Sequence, residues 1–265
     1  MPWKHRWIGN PILTALGRFF FGSGVDDFHC GLRAFRKDAI LALDLQCTGM
    51  EFASEMIVKA SLSSLQIEQV AITLRPDGRS HPPHLRSWRD GWRHLRFMLL
   101  FTPKWLFLIP GLVLSGLSAT AFSILLWGPV TVGGVEFSTN TLLVSATGIL
   151  VGFQVSFFGV YTKTYAVHEG LLPPDKRIER LLASHPIERG IVLGLFIFLA
   201  GLAYLIFAVL NWQETDFGAL SYEKGLRIVI PAVTAIALGT QIIFSGFAFA
   251  ILGLRRKRTH HYSDE

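Results

Sequence analysis

The sequence predicts a chain in two parts: an α/β portion over roughly the first hundred residues, then an all-α membrane domain of four transmembrane helices. Two observations carry this reading. Residues 105–127, 137–162, 190–213 and 228–254 contain no Asp, Glu, Lys or Arg. Each run exceeds the roughly 20 apolar residues that cross a bilayer core about 30 Å thick. The first hundred residues are instead polar and rich in short motifs, so the chemistry is to be sought there. The expected boundaries are 1–83 for the α/β portion, 84–103 for an amphipathic helix and 104–254 for the membrane domain. The spans within it are 105–127, 139–162, 190–212 and 228–254, followed by a basic tail at 255–265.

Composition agrees with a membrane chain. Of 265 residues, 51% are hydrophobic and only 17% charged, against about 25% charged in an average soluble domain. A net charge of +6 would point to nucleic acid in a soluble protein. Here the cations flank the apolar runs, so anionic lipid headgroups are the expected partners and nucleic acid is not. Two cysteines, Cys30 and Cys47, are too few for a disulfide scaffold and read as reduced thiols. Met1 opens onto Pro-Trp-Lys-His-Arg-Trp, so no cleavable signal peptide is expected.

Orientation follows from Lys and Arg in the short loops. Lys163, Lys176, Arg177, Arg180 and Arg189 follow the second run, and Arg255, Arg256, Lys257 and Arg258 follow the fourth. The stretch 128–136 has no cation, and 214–227 has only Lys224 and Arg227. The expected localisation is multi-pass in the cell membrane with both termini cytosolic.

Asn10-Pro11 reads as a cap followed by proline in the first turn of a helix that runs to about Phe21 and stops at Gly22. Residues 25–35 read as extended and 36–43 as a short helix. Thr48-Gly49-Met50-Glu51 matches a capping box opening a helix to about Leu62. Val70, Ile72 and Leu74 alternate with Ala71 and Thr73, the pattern of a strand. Residues 75–83 form a loop. On the helix expected next, Leu85, Trp88, Trp92, Leu95 and Leu99 make one stripe, with Arg86, Arg89, Arg93 and Arg96 beside it. Rings at the headgroup boundary with guanidinium groups on phosphates suit an interfacial helix. A helix packed on its own domain with a solvated basic face is the alternative.

The densest cluster is Asp26-Asp27-Phe28-His29-Cys30-Gly31-Leu32-Arg33-Ala34-Phe35. Arginine grips phosphate bidentately and glycine lets a ligand approach the backbone. Asp/Arg pairs in loops are also common as plain salt bridges. His29-Cys30 lacks the second ligand pair a zinc site needs, so no metal site is read. Glu51 and Glu55 share a helix face, where Glu51 can cap and Glu55 can pair with Lys59. Gln154 and Gln241 read as interhelical hydrogen bonds within the membrane.

Asp27-x-x-x-Gly31-Leu32-Arg33-Ala34-Phe35 resembles the D-x-x-x-G-F-R-A-Y/F segment of family-2 glycosyltransferases that load polyprenyl or dolichyl phosphate, the dolichol-phosphate mannosyltransferase type. Three further segments fit that family in order. Residues 49–55 resemble the opening of its next helix. Residues 70–80 resemble its strand and R-x-x-G-x-S loop. The basic amphipathic helix resembles its interface helix. The first part is therefore identified as a partial α/β glycosyltransferase domain.

The resemblance implies attack of a polyprenyl phosphate on a nucleotide-sugar at the cytosolic face. It assigns Arg33, with Gly31, to phosphate binding, Asp27 to the reaction centre, and Arg75 and Arg79 to diphosphate or lipid phosphate. Glu51 is a further substrate-binding candidate. That family's nucleotide-binding half and its metal-binding D-x-D are expected to precede residue 1. No D-x-D occurs in this sequence, and Asp26-Asp27 are adjacent. The chain thus resembles the acceptor half and anchor of such an enzyme, with Mg²⁺ or Mn²⁺ expected for the complete enzyme on ligands outside this chain. A second copy or the missing N-terminal half is the expected protein partner. The rival reading is a non-enzymatic four-helix protein, either a lipid-sugar translocator or a scaffold for a partner glycosyltransferase.

Overall fold

The computed structural model describes residues 9–28, 30–49, 51–73, 87–169, 184–214 and 222–253, together with residues 7, 172, 176, 180, 216 and 218. The chain divides into two compact units, residues 1–106 with 166–174, and residues 107–165 with 175–265.

The described residues of the first unit form four helices: α1 (Asn10–Phe21), α2 (Lys37–Ala42), α3 (Phe52–Leu62) and α4 (Ser87–Leu100). Its core gathers Val25, Phe28, Ile57, Val58, Phe97 and Met98, with Phe20, Phe21, Cys47, Leu62 and Phe101 packed against it. Helix α1 stops at Gly22, whose N–H returns to the Arg18 carbonyl. Asn10 does not cap α1, because its amide instead reaches Asp27. The capping box at Thr48 also fails to form, and Glu51 precedes α3 without a side-chain cap.

The strand expected at 70–74 is not formed over its described residues. Val70 and Ile72 are exposed, and residues 66–73 belong to no helix or strand. Period-two alternation shows which residues could pair, whereas a strand also needs a neighbour. Among the described residues the first unit offers none, so the sheet of the molecule is a single hairpin in the second unit.

Helix α4 buries a face that the two sequence stripes did not mark. His94, Phe97 and Met98 are buried, whereas Arg89, Trp92 and Arg96 lie on the exposed side. Leu95, Leu99 and Arg93 are half-buried. The helix therefore packs on its own unit and presents an aromatic and basic face outward.

Among its described residues the second unit is mostly helical, with one hairpin. The π-helical turn Lys104–Leu108 leads into α5 (Ile109–Leu126). Strands β1 (Val130–Val132) and β2 (Val135–Phe137) precede α6 (Thr139–His168), α7 (Ser184–Gln213) and α8 (Tyr222–Gly253). Among the described residues, four helices are long and apolar enough to span a bilayer: Lys104–Leu126, Thr139–His168, Ile187–Gln213 and Gly225–Leu252. Large apolar side chains such as Phe196, Phe244 and Ile251 face outward, as lipid-exposed helices require.

Small residues set the contacts between these helices. A Cβ on Gly111 of α5 would lie 2.5 Å from the Ser156 backbone nitrogen of α6, and one on Gly239 of α8 2.6 Å from that of Phe198 on α7. Lipid is as apolar as leucine, so helices in a bilayer associate through such close packing and a few polar bonds. Gln241 Nε2 donates to Gln154 Oε1 at 3.1 Å, joining α8 to α6 as the sequence suggested. At one end of the bundle Arg227 donates to the Leu125 carbonyl and to Ser138 Oγ, tying α8 to the end of α5 and the start of α6.

Candidate functional site

The motif loop is seated on α1 by one close approach. Phe28 is completely buried and its ring lies on Gly17, where a Cβ would come within 2.7 Å of Cζ. Any larger residue at that turn of α1 would push the ring away. The Phe28 N–H donates to Thr14 Oγ1, and Asn10 Nδ2 donates to Asp27 Oδ1 at 3.0 Å. One face of α1 thus orients the half-buried Asp27 carboxylate. Its neighbour Asp26 pairs with Arg18 at 3.0 Å in the open. Asp26 N–H also donates to Gln69 Oε1, and Gln69 Nε2 donates to the Gly24 carbonyl. A residue 43 positions away in sequence therefore closes the loop's other side.

Arg33 shapes the loop from within. Its Nε donates to the Cys30 carbonyl at 2.9 Å, Nη2 to the Phe28 carbonyl at 2.8 Å and Nη1 to the Ala53 carbonyl of α3 at 2.6 Å. Burial pulls its pKa below the ordinary arginine value, against the opposing pull of Cys30 and Asp27. A planar fork meeting three carbonyls is a geometry lysine cannot reproduce. The structure thus gives Arg33 a positioning role alongside the phosphate-binding one the resemblance implies. Between these contacts Gly31 is exposed, and a Cβ built there meets nothing of its own chain.

Beneath the loop lies a buried ion pair. Glu55 accepts N–H bonds from Gln46 at 2.9 Å and Cys47 at 2.8 Å, and pairs with Lys59 at 3.0 Å. Burial pushes the Glu55 carboxyl up, but the backbone N–H groups of Gln46 and Cys47 and the Lys59 ammonium outweigh it and hold it below the ordinary value. Lys59 also donates to the Asp44 carbonyl at 2.6 Å. Burial and the Glu55 charge push the Cys47 thiol up to about 11. Glu55 pairs with Lys59, the structural role the sequence allowed for it. Glu51 is half-buried at the head of α3, close to Gly49.

The structure brings Asp27, Gly31 and Arg33 together with α3. Arg75, Arg79 and Arg86 lie outside the described residues, as does the Trp88 side chain. Reading the sequence missed Gln69, and it missed Ser54, whose buried Oγ meets His94 Nδ1 of α4 at 2.9 Å. Both act through contacts 40 or more residues apart, which leave no local signal. Among the described residues no three His, Cys, Asp or Glu side chains converge.

Two comparisons with known proteins match this chain. Residues 160–253 match the glycosyltransferase family 2 C-terminal transmembrane region. The chain is 38% identical over 253 residues to the low-salt glycan biosynthesis hexosyltransferase Agl6 of Haloferax volcanii. That match covers 96% of this chain and 60% of the relative's length. No solved structure matches the chain. Nearly the whole chain is therefore similar to about three-fifths of a hexosyltransferase, and its residues 160–253 are similar to the C-terminal transmembrane region of glycosyltransferase family 2.

Proposed function

We propose that the chain is the acceptor-binding and membrane part of a glycosyltransferase that moves a sugar from a nucleotide-sugar to polyprenyl phosphate at the cytosolic face. One observation carries the reading. The loop bearing Asp27, Gly31 and Arg33 is laid on α1, and α1 sets Phe19 4.4 Å, ring to ring, from Trp105, the first residue of the first apolar run. That supports an open, glycine-bearing loop at the level of lipid headgroups, where the phosphate of a lipid acceptor resides. The acceptor is already an anion, so it needs electrostatic placement more than a strong base. Asp27, oriented by Asn10, is the group next to the reaction, and Arg33 holds the loop in shape. Arg75 and Arg79 add positive charge for diphosphate or lipid phosphate. The outward face of α4, with Trp92 between Arg89 and Arg96, meets anionic headgroups, and both termini are cytosolic. Mg²⁺ or Mn²⁺ serves the donor on ligands outside this chain.

The test is transfer of labelled sugar from nucleotide-hexoses into chloroform-extractable lipid, in vesicles containing polyprenyl phosphate. The chain is assayed alone and with a donor-binding half supplied. Product is expected only in the second case. Asp27→Asn should lower it at least tenfold, or about 1.4 kcal/mol, with thermal unfolding unchanged. Arg33→Lys should lower product and stability together, because the carbonyl contacts are lost. No product with any donor would leave the non-enzymatic reading standing. Loss of stability in Asp27→Asn in proportion to activity would make Asp27 a structural partner of Asn10.

A further inference from the structure

The stretch between the first two spanning helices, expected as a plain loop, folds into the β1–β2 hairpin. Val130 pairs with Phe137, Thr131 with Glu136 and Val132 with Val135. Gly133 and Gly134 close it with φ of 59° and 83°, the two positive values a type I′ hairpin turn requires. Residues directly opposite share a face and successive residues alternate. One face of the ribbon is thus Val130, Val132, Val135 and Phe137, and the other is Thr131 and Glu136.

These faces have different surroundings. At the base, Val130 packs against the cluster of Leu125, Leu142, Ala146 and Ile230. At the tip the same apolar face is uncovered, with Val132 61% and Val135 57% exposed. Trp127, at the end of the first spanning helix, is 93% exposed beside it. A ribbon of three residue pairs reaches about 10 Å. Through Val130 the apolar face joins the buried cluster between the spanning helices, which anchors the ribbon at their end. The polar face carries the acidic Glu136.

We propose that the hairpin is a membrane-interface ribbon. Its Val132/Val135/Phe137 face rests in the headgroup boundary of the leaflet at that end of the bundle, beside Trp127, while Thr131 and Glu136 face water. Lipid is the occupant because the face lies where the first span ends, at Leu126, next in sequence to the exposed Trp127, at the level where tryptophan rings settle.

Single cysteines at Thr131, Val132, Val135 and Glu136, in a Cys30→Ser, Cys47→Ala full-length chain, would carry nitroxide labels in phosphatidylcholine–phosphatidylglycerol vesicles. Labels at 132 and 135 are expected to relax at least threefold more with oxygen, which concentrates in lipid, than with a water-soluble nickel chelate. Labels at 131 and 136 should show the reverse. Nickel access at all four positions would place the hairpin in water and overturn the proposal. Protection of 132 and 135 from both reagents would mean that protein, including a second copy of this chain, covers the face, and would overturn it equally. A label-free check uses Val132→Asp with Val135→Asp. Quenching of tryptophan fluorescence by brominated lipid should fall in that variant, and unchanged quenching would count against the proposal.

Discussion

In the first unit, charged side chains grip backbone groups. Arg33 holds three carbonyls, and Glu55 holds two N–H groups while paired with Lys59. In the second unit, helices meet through glycine, as at Gly111, Gly201 and Gly239, with isolated polar links such as Gln154–Gln241. The difference follows from what each backbone must satisfy. Spanning helices bond their own N–H and C=O groups internally, so side chains need only allow close approach. The first unit has long stretches outside helices, between α1 and α2 and between α2 and α3. Buried polar backbone there must find partners or cost stability. A small unit of short helices therefore leans on ions at its centre, and the spanning helices lean on close approach at glycine with a few polar ties.

The largest expected effect breaks the ionic side of this contrast. Glu55→Ala leaves Lys59 buried without its carboxylate and two backbone N–H groups without an acceptor. Loss of one partner of a buried pair costs about 3–5 kcal/mol. Chemical unfolding in detergent, followed by tryptophan fluorescence, should show this as early loss of the first unit. Glu55→Met with Lys59→Met should recover much of the ion-pair cost. A loss below about 1 kcal/mol in the single variant would show that the pair is not what organises the unit. The pH dependence has a defined sign. Because the folded Glu55 carboxyl is held below the ordinary value of 4.5, its stabilisation is complete above that pH and fades as pH falls through the lower folded value. Wild type should lose stability in that acid window and the double variant should lose less.

Two glycines sharpen the comparison from the other side. A Cβ at Gly239 of α8 would strike the backbone of Phe198, whereas one at Gly17 of α1 would strike only the Phe28 ring. Backbone in a packed helix cannot yield locally, so Gly239→Ala should separate α7 from α8 at a cost of about 2–3 kcal/mol. Alanine at position 17 gains about 1 kcal/mol of helix propensity against glycine, while the buried ring must shift. A net loss of about 1 kcal/mol is expected there. Thermal unfolding in the same detergent compares them directly, and an equal or reversed ranking would contradict the reading of both contacts.

Much of the helical architecture was legible because its signals are local. Charge-free length marked the spans, and Gly22 marked the end of α1. The motif loop was legible as a place, since Asp27, Gly31 and Arg33 lie within seven positions. What escaped depends on distant partners. Arg33 reaches Ala53, Asp26 reaches Gln69 and Ser54 reaches His94, and no window of sequence contains those pairs. The alternation at 70–74 and the capping box at 48–51 were real patterns without the partners that give them meaning. The hairpin is the opposite case. Val-Thr-Val-Gly-Gly-Val-Glu-Phe has the alternation and turn glycines of a ribbon, hidden by its place between two spans.

The smallest effect tests whether the ionic centre of the first unit is closed to solvent chemistry. Cys47 lies against Glu55, and burial with that carboxylate pushes its thiol from 9.0 to about 11. Only the thiolate reacts with iodoacetamide. A rise of about two pH units leaves roughly a hundredfold less thiolate at pH 8 than the same cysteine has in the unfolded chain. In a Cys30→Ser background, folded protein should therefore alkylate about two orders of magnitude more slowly than urea-unfolded protein. The Glu55→Gln variant should recover part of that rate, because removing the negative charge lets the thiolate form more readily. The linked stability has its own sign. A raised thiol pKa favours the folded state fully below pH 9, and this contribution disappears as pH rises towards about 11, through the range in which the unfolded thiol ionises first. Equal alkylation rates in folded and unfolded protein would mean that Cys47 is open to solvent and that Glu55 does not reach it.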